Sequence, residues 1–150
     1  MISTKKSKLG FVFAGILAVF PGFAMAQDTG AEESFRLELN AASDTTSGSC
    51  RLTYVATNQS EIVLSKAAYE VAIFNAEGIV SRLIILDLGE LTEGKTKILQ
   101  FDLGETPCAE VSRIIVNSNA SCVQASDGAE IDLCMRALST GSRTAIQFGI

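Results

Sequence analysis

Residues 67–86 read AAYEVAIF-NAEG-IVSRLIIL, and the periodicity of this stretch decides the fold class. Tyr69, Val71 and Ile73 recur at every second position, so an extended chain carries them on one face. Asn75, Ala76, Glu77 and Gly78 then form a turn, with Gly78 free to take positive φ. An apolar return segment over 79–86 completes a β-hairpin. The same grammar extends outward from it. Upstream, Phe35, Leu37 and Leu39 alternate with Arg36 and Glu38, and 41–48 (AASDTTSG) is a polar loop. Cys50, Leu52, Tyr54 and Ala56 alternate against Arg51, Thr53 and Thr57, ending at Asn58. Downstream, 91–94 (LTEG) is a second turn, and Leu99, Phe101 and Leu103 share a face. Segments 111–116 (VSRIIV) and 144–148 (TAIQF) bring the count to about seven or eight short strands, the pattern of an antiparallel sandwich.

One segment departs from the period of two. Ile131, Cys134, Met135 and Leu138 fall at i, i+3, i+4 and i+7, a helical stripe. Asp127 and Glu130 have the spacing of a capping box, and Gly141 lies just beyond the stripe. The expectation is a short helix over 128–138 with Cys134 on its inner side.

The N-terminus has the three parts of a secretory signal. Lys5, Lys6 and Lys8 precede an apolar run over 9–20, which is followed by Pro21-Gly22 and then Ala24-Met25-Ala26. The run holds 12 residues, against the roughly 20 that a spanning helix requires. Residues 1–26 therefore read as a cleavable signal peptide and 27–150 as one domain, with no membrane span after cleavage. Removing 26 of the 150 residues leaves 124, a size that supports one core. Three of the 12 basic residues leave with the signal, so nine face 17 acidic ones and the formal charge is −8. That balance argues against nucleic acid and anionic lipid as partners.

All four cysteines, Cys50, Cys108, Cys122 and Cys134, lie after the signal. An even number in an exported chain reads as two disulfides, which places the protein in the periplasm or outside the cell. The competing metal reading lacks a C-x-x-C pair, and the sequence contains no histidine. Of the three pairings, local context favours Cys50 with Cys108 at neighbouring strand ends, and Cys122 with Cys134 across a polar loop.

Without histidine, the usual general base and the usual transition-metal ligand are both missing. Copper handling lacks its Met and His ligands, since Met135 is the one methionine outside the signal and sits on the helical stripe. Asp127, Glu130 and Asp132 lack the spacing of a calcium loop. Lys66, Lys95, Lys97 and the Ser and Thr residues show no pairing of nucleophile with base. The expectation is a non-enzymatic protein with no catalytic residues, no metal and no cofactor.

Two resemblances add to this reading. Cys50 to Asn58, then Val71-Ala72-Ile73-Phe74-Asn75 with Gly78, then Leu91-Thr92-Glu93-Gly94 before Phe101, resembles FxLYD-type and related immunoglobulin-like domains of bacterial envelope proteins. This likeness covers residues 50–103 and implies an immunoglobulin-like sandwich. The chain is also similar to small periplasmic proteins of alphaproteobacteria labelled "Tat pathway signal sequence domain protein". The likeness lies in Cys50-Arg51-Leu52-Thr53, Gln100-Phe101-Asp102-Leu103, Cys108, Val116-Asn117 and Ser142-Arg143-Thr144. The twin arginine named in that label does not precede the apolar run here. Neither resemblance implies active-site residues.

One surface candidate remains. Leu83, Ile84, Ile85 and Leu86 show no polar alternation, so both faces of that strand call for cover. One reading is a central strand with the opposite sheet on one side and the 128–138 helix on the other. The alternative is an exposed partner patch. The functional expectation is an exported binding or interaction module whose partner is an envelope protein. A structural or accessory subunit of an envelope assembly is the second reading, with the polar segment 27–34 arguing against a donated-strand arm.

Overall fold

A computed structural model describes residues 34–150; the signal peptide expected at 1–26 and the start of the domain expected at 27 lie outside them. Eight strands form two four-stranded sheets. The first sheet contains β1 (Phe35–Asp44), β2 (Cys50–Asn58), β5 (Thr96–Leu103) and β7 (Leu138–Ser142), in the order β5-β2-β1-β7. The second contains β3 (Leu64–Phe74), β4 (Val80–Leu91), β6 (Arg113–Gln124) and β8 (Gln147–Gly149), in the order β4-β3-β6-β8. The adjacency β1-β2-β5 against β3-β6 is that of the immunoglobulin sandwich. Both sheets are mixed: β7 runs parallel to β1 and β8 parallel to β6.

The inward positions are those that the alternation predicts. Phe35, Leu37, Leu39, Tyr54, Ala56, Tyr69, Val71 and Ile73 are all buried in the shared core. At the hairpin turn, Gly78 has φ 78°, its N–H donates to the carbonyl of Asn75, and the Asn75 carboxamide accepts from the N–H of Ile79. Asn58, where β2 ends, is fully buried. Its Nδ2 donates to the carbonyls of Ile62 and Leu91, and its Oδ1 accepts from the backbone and hydroxyl of Ser60. One amide thereby closes the strand ends of both sheets.

The disulfides join Cys50 to Cys108 and Cys122 to Cys134, and no cysteine is free. The second bridge holds the segment that departs most from the sequence reading. The helix expected over 128–138 is a single turn, α1 (Leu133–Arg136). The backbone upstream of it is already in use: Ile131 N–H donates to the carbonyl of Cys122, and Gln124 N–H to that of Ala129, folding 122–131 back on β6. The capping box does not form. Asp127 instead accepts from Ala129 N–H within the turn, and Glu130 accepts from Cys122 N–H and the Ser121 hydroxyl. Leu138 then opens β7, a strand hidden from the sequence by its helical phase. Ile131, Leu133, Cys134, Met135 and Leu138 still point at the core. Burial follows the stripe while hydrogen bonding does not. The Tyr69 hydroxyl donates to the carbonyl of Cys134 at 2.6 Å, pinning α1 to the middle of β3.

Candidate functional site: the outer face and free edge of β4

The run 83–86 does not lie in a central strand. Among the described residues, β4 pairs with β3 alone and stands at the edge of its sheet, and α1 packs on β6 and β7. Neighbouring residues consequently have opposite fates. Leu86 is fully buried and Ile84, partly buried, packs against the core, while Leu83 is 55% exposed and Ile85 54% exposed. Of the four residues proposed for a partner surface, two are available.

They are joined by residues that the sequence reading did not single out. Leu83 lies beside Ala72, which lies beside Ile115 of β6; Ile85 lies beside Glu70; and Val80, exposed, pairs with Phe74. Ala68 and Ala72 are covered by neighbours on this outer side. The signal for them was present: positions alternate to Tyr69, Val71 and Ile73 are Ala68, Ala72 and Phe74, with Glu70 as the one charge. Polar groups rim the apolar rows. The Arg113 guanidinium stacks 3.9 Å above the Phe74 ring, and Asn117 hydrogen-bonds the Glu70 carboxylate. A shallow, open hollow beyond that end is lined by Ala76, Glu77, Gly78, Ser112, Arg113 and Gln147.

The outer face of the other sheet carries more ion pairs, around an exposed Ile98 that lies beside Val55. Arg51 grips Asp102 in a bidentate pair at 2.7 and 2.8 Å, which lowers the Asp102 pKa and raises that of Arg51. Glu38 is held by Asn40 at 3.0 Å, Arg143 at 2.6 Å and Arg36 at 3.1 Å. Those hydrogen bonds, that of Asn40 contributing most, bring its carboxyl down to about 2. Burial pushes the Tyr54 and Tyr69 hydroxyls upward. These charges are spent on one another and anchor the C-terminal segment to β1. Asp127, Glu130 and Asp132 are similarly engaged, Asp132 with Arg136. Among the described residues, no three His, Cys, Asp or Glu side chains cluster as a metal site, and no helix is long and apolar enough to cross a membrane.

The class that these observations define is a disulfide-bonded, immunoglobulin-like β-sandwich. Among solved structures, IrmA from Escherichia coli is similar in fold. The two share 9% identity at a TM-score of 0.51, over 72% of this chain and 91% of that one, a likeness of fold alone. No family model and no curated protein matches the chain.

Proposed function

We propose that this protein is an exported, non-enzymatic interaction module of the periplasm that binds an envelope protein through the outer face of the β4 sheet. The observation that carries the reading is the uncovered pair Leu83 and Ile85, Leu83 in an apolar row with Ala72 and Ile115 and Ile85 in the next row beside Glu70. Exposed apolar side chains on one face of a sheet, with Glu70 among them and Arg113 and Asp87 at the margins, have the makeup of a protein-binding surface. The basic n-region and apolar run of the signal, the two closed disulfides and the resemblance to small periplasmic proteins of alphaproteobacteria support the compartment. Among the described residues, eight strands fill the core of the sandwich, which favours the interaction reading over a subunit that takes up a donated strand.

The test is cross-linking in the periplasm followed by purification, comparing wild type with the Leu83→Asp/Ile85→Asp double variant. A partner captured by the wild type and lost from the folded variant is the expected result. Equal capture by both, or turnover in a broad hydrolase screen, would remove the basis of the proposal.

A further inference from the structure

We infer that the hollow at the end of the outer face, between the turn at 75–78 and the starts of β6 and β8, is a binding site for a small zwitterion of the α-amino acid class, Arg113 taking its carboxylate and Glu77 its ammonium. The first ground is the state of Arg113. It lies between Phe74 of β3 and Gln147 of β8, and its guanidinium is stacked 3.9 Å above the Phe74 ring. Stacking satisfies the face of the guanidinium and holds its plane, while the N–H fork at its edge still calls for acceptors. The other five arginines of the sequence have theirs. Arg36 and Arg143 donate to Glu38, Arg51 to Asp102, Arg82 to Thr106 and Arg136 to Asp132. Among the described residues, no side chain or carbonyl accepts from Arg113.

The second ground is a carboxylate in the same state. Glu77 lines the hollow together with Arg113, and among the described residues its side chain has no ion pair or hydrogen bond either. Opposite charges therefore share one concavity of about 340 Å³ without neutralising each other. The backbone beneath them is tied together. Ser112 N–H donates to the carbonyl of Phe74, the Ser112 hydroxyl to that of Asn75, and Gln147 N–H to that of Ser112. The turn that carries Glu77 is thus fastened to the strand ends that carry Arg113 and Gln147. The Gln147 carboxamide, without a partner among the described residues, adds a donor and an acceptor to the lining. This arrangement selects its ligand by charge. A simple anion meets Glu77 and a simple cation meets Arg113, whereas a molecule with a carboxylate and an ammonium a few bonds apart satisfies both. The volume is at the small end of ligand pockets, which suits one amino acid rather than an extended peptide. Both charges are exposed, so the site is weak, with a dissociation constant of about 1–10 mM. The inference goes beyond the proposed function: it concerns a different ligand, and Leu83 and Ile85 play no part in it.

The test is an NMR titration of the disulfide-bonded, ¹⁵N-labelled protein with L-leucine, and separately with N-acetyl-L-leucine, which lacks the ammonium, and L-leucinamide, which lacks the carboxylate. With leucine, the amides of 76–78, 112, 113 and 147 and the Arg113 Nε–Hε group should shift and saturate, and each single-charge probe should bind about two- to fivefold more weakly. The variants then cross. Arg113→Gln should weaken leucine and N-acetyl-leucine but not leucinamide, and Glu77→Gln should weaken leucine and leucinamide but not N-acetyl-leucine. Both positions are exposed, so each variant should melt near the wild-type temperature. The absence of saturable shifts up to about 100 mM, far above the expected constant, would overturn the inference. Shifts that saturate elsewhere would do so too, as would single-charge probes that bind as tightly as leucine or a variant that weakens all three probes alike. The Leu83→Asp/Ile85→Asp variant should bind leucine as wild type does. If it captures an envelope protein as well as wild type does, the proposed function fails while this site stands; if wild type captures its partner but binds no leucine, the reverse holds.

Discussion

Leu86 and Ile85 are adjacent in sequence, and their substitution should separate by more than 2 kcal/mol. Leu86 is fully buried between the sheets, among the residues of the shared core. Leu86→Ala removes its side chain from that core and leaves a cavity, at a cost of about 3 kcal/mol, within the usual range of roughly 2–5. Ile85 is 54% exposed, so less than half of its burial is at stake. Ile85→Thr keeps the β-branched shape favoured in strands and should cost about 0.5–1 kcal/mol. Urea unfolding of the oxidised protein, followed by circular dichroism, measures both. The slope should match wild type in each case while the midpoint falls steeply for Leu86→Ala alone. For a domain of this size, about 1 kcal/mol moves the melting temperature by roughly 3–6 °C, so thermal scans should rank the variants alike. Equal losses at the two positions would mean that both faces of β4 are covered. The assignment of the outer face as a surface would then be wrong.

Three further outcomes are expected. Alkylation of the unreduced, denatured protein should add no mass, and peptide mapping should find links 50–108 and 122–134; replacing the Cys122–Cys134 pair by Ala should cost about 3 kcal/mol, and the Cys50–Cys108 pair about 4, from loops of 12 and 58 residues. Glu38 titrates at about 2 against its ordinary 4.5, so its contribution to stability is complete above pH 4.5 and is lost as pH falls towards 2; Arg143→Gln should move the Glu38 carboxyl ¹³C titration midpoint upward, and an unmoved midpoint would deny the ion pair a role. Asn58→Ala strands the groups that its buried amide satisfies and should cost about 2–3 kcal/mol by urea titration, whereas a loss no larger than that of an exposed site would show that water replaces the amide.

The alternation of Phe35, Leu37 and Leu39, of Leu52, Tyr54 and Ala56, and of Tyr69, Val71 and Ile73 determined the strands and their inner faces. Side-chain direction in an extended chain is a local property with a fixed period, so it is written directly in residue order. The same holds for the turn at Asn75 to Gly78, where a side-chain acceptor and a residue tolerant of positive φ meet within four positions. The cysteine pairing was legible because each cysteine stands beside a recognisable strand end or loop. Tertiary structure decided the rest. The stripe from Ile131 to Leu138 meets the core as its phase predicts, yet β6 and β1 claim the backbone on either side of Leu133–Arg136, leaving one helical turn. A backbone N–H can serve one ladder, and which ladder wins depends on strands far away in sequence. The same distance separates Leu83 and Ile85 from Ile84 and Leu86. Local sequence makes all four apolar, but cover is supplied by whatever packs above them, and here the sandwich covers one side of β4 while the α1 segment lies across β6 and β7.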